Sequence, residues 1–354
     1  MIRALFIAFL TIACVTSATA QDRAAPILAL LDRLPLPPGD GSIEVDYGNP
    51  IPVRAAAMMA AALGQMDDDP MLAPILRAAP VSLAQRIVLD NDGLGQTHGI
   101  DLFQVEQFAM MMQGQRRTVL LDLPEGQGAG VGPALSAAGF GYQEQPFQGQ
   151  TVFWRGVDME TDLSRRDDFF GYGLGLSSRL WLDGDRLVQT ATWPTMAQAI
   201  ATPEGSIGQH SGTRAVVSVL DTGLDVPGEV VALRLYLNLG LSGRGGPLMV
   251  ADLIHGAQEG AVFAFVTDTL AEAERYAAAA RANWETLPSS VTRRTMAEMF
   301  GNAMQATALE IDGTAVAAIS VHGPRDRDSP FWRNSAFHRF NQVLMMRDLA
   351  WLTD

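Results

Sequence analysis

RLWLDGDRLVQT, from Arg179 to Thr190, is the stretch on which the fold turns. Apolar residues alternate with polar ones on both sides of Asp183-Gly184-Asp185, and an Asp-Gly step suits a tight hairpin turn because glycine accepts a positive φ. Two short strands joined this closely must be antiparallel. Thr307 to Ile311 and Ala315 to Val321 repeat the arrangement across Asp312-Gly313.

Working outward, each hairpin follows a strand and a helix. Thr118 to Leu123 reads as a strand, Gly132 to Ala138 as a helix and Gln150 to Trp154 as a strand. Trp193-Pro194 opens another helix. Ala261 to Val266 reads as a buried strand and Leu270 to Trp284 as an Ala-rich amphipathic helix. Helices do not alternate with every strand, as a doubly wound parallel sheet would require. The expected class is therefore α+β: a helical N-terminal region, then two strand-helix-hairpin halves with mostly antiparallel sheets.

The N-terminal region is read as residues 21–113, with helices over Ala25 to Leu34, Val53 to Leu63, Pro70 to Ala79 and Gln104 to Gln113. Gly64 is placed to stop the second. Asp67-Asp68-Asp69 suit the entry of the third. The first α+β half covers 114–205 and the second 206–354, ending in a helix with Phe340, Leu344, Leu349 and Trp351.

Gly99-Ile-Asp-Leu, then Ala137-Ala138-Gly139-Phe140 and Phe147-Gln-Gly149-Gln-Thr-Val152, resemble a pattern in exported bacterial proteins of unknown function. The resemblance covers residues 85 to 240. It implies no catalytic residues.

Residues 1–20 have the build of a secretory leader: Arg3, an apolar run from Ala4 to Val15, and Ala18-Thr19-Ala20 before a cleavage point. The run is shorter than the roughly 20 residues of a membrane-spanning helix. Cleavage after Ala20 would leave Gln21 first and discard Cys14, the single cysteine. The rival is acylation of Cys14, but Thr11 stands where a lipoprotein signal wants a branched apolar residue, so no lipid anchor is expected. The location read from this is periplasmic. The remaining chain has no thiol, and at this length it can fold without disulfides.

Lysine is absent, so all 25 basic residues are arginine against 39 acids, a net charge of −14. That balance argues against nucleic acid or an anionic lipid surface as partner. No other apolar run reaches spanning length.

Val217-Ser-Val-Leu-Asp221-Thr222-Gly223 resembles the aspartate strand of subtilisin-like proteases, with His255 following in the right order. No Gly-Thr-Ser turn follows, and Ala315 stands where the serine would be. The same Asp-Thr-Gly resembles the aspartic protease motif, which needs a second carboxylate, and the chain has one copy. A structural reading fits better. Ser211 caps a helix from Gly212 to Thr222 that Gly223 ends, or the stretch is a strand turning at Asp221.

His98, His210, His255, His322 and His338 show no metal-ligand spacing, and no metal or cofactor is expected. Asp90-Asn-Asp92-Gly93 reads as a polar turn rather than a calcium loop. Gly171-Tyr-Gly173-Leu-Gly175 precedes a strand, which excludes a dinucleotide loop.

The candidate recognition residues are Arg165, Arg166, Phe169, Phe170 and Tyr172, with Trp332 and Arg333. Arginine and aromatic rings dominate interface hot spots when exposed. The bland alternative tucks the rings under their loop. The function expected is non-enzymatic, through binding another envelope protein or supporting an assembly. A periplasmic solute-binding protein is the alternative, and a carboxylate hydrolase the third.

Overall fold

The computed structural model describes residues 22–64, 70–90, 98–201, 205–222, 224, 226–239, 246–301, 303–326, 329 and 332–353. The expected cleavage site, the Asp67-Asp68-Asp69 helix entry, Asp92-Gly93 and Gly223 lie outside them.

The protein is α+β. Among the described residues twelve strands form one sheet, and every pairing in it is antiparallel. They are β1 (Ile43–Gly48), β2 (Gln107–Gln113), β3 (Arg116–Asp122), β4 (Gln143–Phe147), β5 (Gln150–Arg155), β6 (Ser178–Asp183), β7 (Arg186–Thr190), β8 (Glu229–Leu237), β9 (Leu248–His255), β10 (Gln258–Thr267), β11 (Ala303–Ile311) and β12 (Thr314–Pro324). Their order across the sheet is β11-β12-β10-β9-β8-β1-β2-β3-β7-β6-β5-β4. Each half carries a helix followed by a hairpin that returns from the sheet edge. The two halves share this one sheet rather than forming separate ones, because β1 pairs with β2 on one side and β8 on the other.

Both hairpins stand where the Asp-Gly steps place them. Gly184 and Gly313 take φ of 65° and 76°, and Asp312 shares the left-handed region at 48°. The register closes as Asp183 opposite Arg186 and Ile311 opposite Thr314.

One face of the sheet is covered by three helices: α1 (Ala24–Leu31), α6 (Trp193–Ile200) and α7 (Ser211–Ser218). They bury Ile27, Leu31, Met196 and Val216 against Val45, Met111, Leu235 and Met249, one core running across the middle of the sheet. The other face carries two cores. Under the first half, α3 (Leu72–Ala78), α4 (Val81–Asp90) and α5 (Gly128–Ala137) pack on Phe108, Val119 and Leu180. Under the second, α8 (Leu270–Asn283), α9 (Met296–Phe300) and α10 (Ser335–Met345) pack on Val250, Phe263 and Ile319. Helix α2 (Ile51–Ala62) sits between them over Val231 and Ile254.

Gln104 to Gln113 is not a helix but mostly strand β2. Phe108, Ala109, Met110 and Met111 are all buried, two facing each core, which is the continuous apolar run of a central strand. Flexible methionine fits either element, so partners on both sides decide. Strand β1 has no counterpart among the expected elements, and with β2 it makes the N-terminal region less purely helical than expected. Helix α7 is capped by His210 rather than Ser211: its Nδ1 accepts from Thr213 N–H at 3.3 Å. A 3-10 turn, Val219–Asp221, continues it.

Candidate functional site

The loop that carries Arg165 to Tyr172 is organised from inside. Asp168 is fully buried and accepts from His98 Nε2 at 3.0 Å, Tyr142 Oη at 2.9 Å, and Arg155 Nε and Nη2 at 2.9 and 2.5 Å. It also caps the short 3-10 turn Phe169–Gly171 through Phe170 N–H at 3.1 Å. Burial alone would raise its pKa. The hydrogen bond from His98 and the charges of Arg155 and His98 outweigh that and hold it below the usual carboxylate range.

Phe169 and Phe170 consequently point inward, packed edge-on to each other and to His98. Tyr172, partly buried, lies under the Arg117 guanidinium, 3.0 Å from its ring centroid. Trp332 is buried too, with Arg325 stacked at 3.8 Å. Arg165 donates to Phe140 O at 2.7 Å. Of the seven, only Arg166 and Arg333 are exposed. The seven residues therefore form two separate packed structures, not one exposed aromatic surface. Sequence could not show this, because the organising partners His98 and Asp168 are 70 residues apart.

A second buried charge cluster pins helix α3 to the other half of the sheet. Arg77 grips Asp252 on β9 with two parallel hydrogen bonds, 2.9 and 2.7 Å, and donates to Trp332 O at 2.7 Å. Asn334, the cap of α10, donates to Asp252 Oδ1 at 2.7 Å and to Gly260 O at 2.7 Å. Glu259 lies 3.4 Å from Arg77, and burial pushes its carboxyl up to about 7. Removing Arg77 would leave two buried acids unmatched.

Between the halves, Arg234 on β8 meets Asp46 at 2.7 Å and Glu44 at 3.2 Å on β1. Among the described residues no group of three or more His, Cys, Asp or Glu converges as a metal site would require.

A polar cavity of about 220 Å³ opens beside the Asp168 loop, lined in part by Trp154, Arg155, Glu160, Asp162 and Arg165. Its charges are already engaged. Glu160 accepts from Val157 N–H at 2.7 Å, Asp162 caps a 3-10 turn through Ser164 N–H at 3.0 Å, and Arg155 is held by Asp168. These two acids brace loops.

A second cavity has a different character. About 370 Å³ lies under the second half of the sheet, between β9, β10, α8 and the chain end after α10. Leu248, Phe263, Phe265 and Val266 form its roof, Tyr276 its side, and Leu349, Ala350 and Leu352 its floor. Polar groups stand at the margin: Thr267, Glu272, Arg347 and Thr353. Its residues come from five segments, so no local motif announces it. The nearest signal is the alternation of Phe263 and Phe265 on one face of a strand whose other face is already filled.

No family model matches the chain, and no curated protein does. Among solved structures, crystal form III of TP0453 is similar at a TM-score of 0.42 and 5% identity, over 87% of this chain and 96% of that chain. Crystal form I of TP0453 gives 0.33 at 6% identity over the same shares. The functional reading therefore rests on the geometry of the chain itself.

Proposed function

We propose that this is an exported binding protein for a small apolar molecule, held in the cavity beneath Phe263 and Phe265. The observation that carries the reading is the cavity itself. Its volume lies at the small end of the roughly 300–1,000 Å³ typical of ligand sites, and its wall is apolar and aromatic with a few polar groups at the margin. Water against so apolar a wall gains little, and an apolar ligand that displaces it removes that surface from water. The surface on which a protein-partner reading would stand is internal at Phe169, Phe170 and Trp332.

The test is titration with the neutral fluorescent probe N-phenyl-1-naphthylamine. Saturable one-site binding is expected, and Ala350→Trp, which puts an indole among the residues that line the cavity, should abolish it. Absence of saturable binding, or binding untouched by Ala350→Trp, would overturn the assignment. Export is part of the same proposal: the intact mass of protein recovered from the periplasm should begin at Gln21, whereas an acylated Cys14 would contradict it.

A further inference from the structure

Resting on that cavity reading, we infer that the ligand is amphipathic: a single apolar chain whose anionic head is met by Arg347. Three observations converge on this arginine. It lines the cavity, and it is exposed. Its guanidinium makes no ion pair or hydrogen bond with the protein among the described residues, in a chain where the buried arginines are heavily engaged. And its backbone occupies a position that does not suit it.

Helix α10 ends in a Schellman motif. Arg347 N–H bonds to Leu344 O at 3.0 Å and Asp348 N–H to Val343 O at 2.9 Å, with Arg347 at φ 53°. Glycine is the usual occupant of that left-handed position, because a Cβ is disfavoured there. A long cationic side chain at a site made for glycine is a local cost without a packing return, and such outliers gather where a function holds them.

The surrounding charges allow an anion. Glu272, the acid on the cavity margin, accepts from Asp268 N–H at 3.2 Å and pairs with Arg275 at 3.5 Å. Asp348 is turned away onto Ser290, which donates to it from N–H at 3.2 Å and Oγ at 3.0 Å. The Tyr276 hydroxyl has no hydrogen-bond partner among the described residues and offers the head a neutral donor. An acyl carboxylate and a lysophospholipid phosphate share this chemistry.

The experiment is displacement of N-phenyl-1-naphthylamine by decanoate, 1-decanol and lysophosphatidylglycerol at pH 8. Decanoate should displace about tenfold more tightly than decanol, the worth of one charge-assisted contact at a partly open site. Arg347→Gln and Arg347→Gly should bring decanoate down to the decanol level, the two compared within each variant's own titration, while Arg347→Lys keeps most of the preference. Arg347→Gly should hold or raise Tm, which a structural arginine would not. Tighter displacement by the lysolipid than by decanoate would identify a lipid-derived ligand within the same chemistry. Equal affinity for decanoate and decanol, or a preference that survives Arg347→Gln, overturns the proposal while the cavity reading stands. Loss of probe binding by the unaltered protein overturns both.

Discussion

The carboxylate of Asp221 accepts a 2.7 Å hydrogen bond from the backbone N–H of Arg23, 198 residues away in sequence. It also accepts from Ala24 N–H, at 3.3 Å to each oxygen. Arg23, the N-cap residue of α1, makes no side-chain cap; Asp22 accepts from Ala25 N–H at 3.1 Å, and the aspartate of the protease-like Asp-Thr-Gly serves Arg23 and Ala24 from another element. Its residue type is explained by unsatisfied helix N–H groups, not by proton transfer.

Asp221→Ala should cost about 1–2 kcal/mol, the worth of a good cap, and Asp221→Asn much less because one acceptor oxygen is kept. Urea denaturation gives the magnitude. Hydrogen exchange should show the loss concentrated at Ala24–Leu31, which packs through Ile27 and Leu31.

Glu259 should make stability fall as pH rises. Its pKa is raised in the folded state to about 7, so the neutral carboxyl is the form that the fold prefers. The corresponding stability is complete below the unfolded value of about 4.3 and is lost as pH climbs through 7, at no more than about 1.4 kcal/mol per unit. Glu259→Gln should match the parent at pH 4 and exceed it by up to about 3 kcal/mol at pH 8. Parallel denaturation curves across that range check it; a constant difference at all pH values would refute it.

Asp168 carries the opposite sign. Its pKa is depressed when folded, so its contribution is present above the unfolded value and disappears as pH falls below about 4. Asp168→Asn, which leaves Arg155 buried without its counter-charge, should cost about 3–5 kcal/mol at pH 7. That gap should narrow on acidification, and thermal melts at pH 7 and pH 3 would show whether it does.

Gly48 on β1 touches helix α3. A Cβ there would stand 1.9 Å from Ala78 O and 2.7 Å from Ala78 C, backbone atoms that cannot swing aside. Gly48→Ala should therefore lift the end of α3, loosen the neighbouring Arg77–Asp252 grip and cost roughly 1–3 kcal/mol or more. The readout is stability together with faster exchange of the amides in Leu72–Ala78.

Much of the fold is legible in the sequence where the cause is local. Asp183-Gly184 and Asp312-Gly313 announce their hairpins because only a few residue types accept that turn, and Thr192 and Thr269 cap the helices that follow them. Strand β1 was missed although its signal is local: Ile43, Val45 and Tyr47 alternate with Glu44 and Asp46, the acids on the face where Arg234 stands. Strand β2 was not legible, since Phe108 to Met112 has no period to read and its character is set by β1 and β3. Nor was the cavity, whose walls are joined only by tertiary packing. Arg347 looks in sequence like an ordinary surface residue after a helix; only its backbone angle and a charge unmet among the described residues set it apart.

The placement of β1 at the centre of the sheet also governs the order of events during biosynthesis. Asp46 is made early, and its partner Arg234 follows 188 residues later, an interval of roughly 10 to 40 s at ordinary elongation rates. Until then the strand has one edge without its neighbour, and the halves cannot be joined. Closure around β1 is the long-range, entropically expensive step of folding. A chain interrupted before Arg234 would keep its first-half hairpins yet present β1 as an open edge, the form most prone to pair with the wrong molecule.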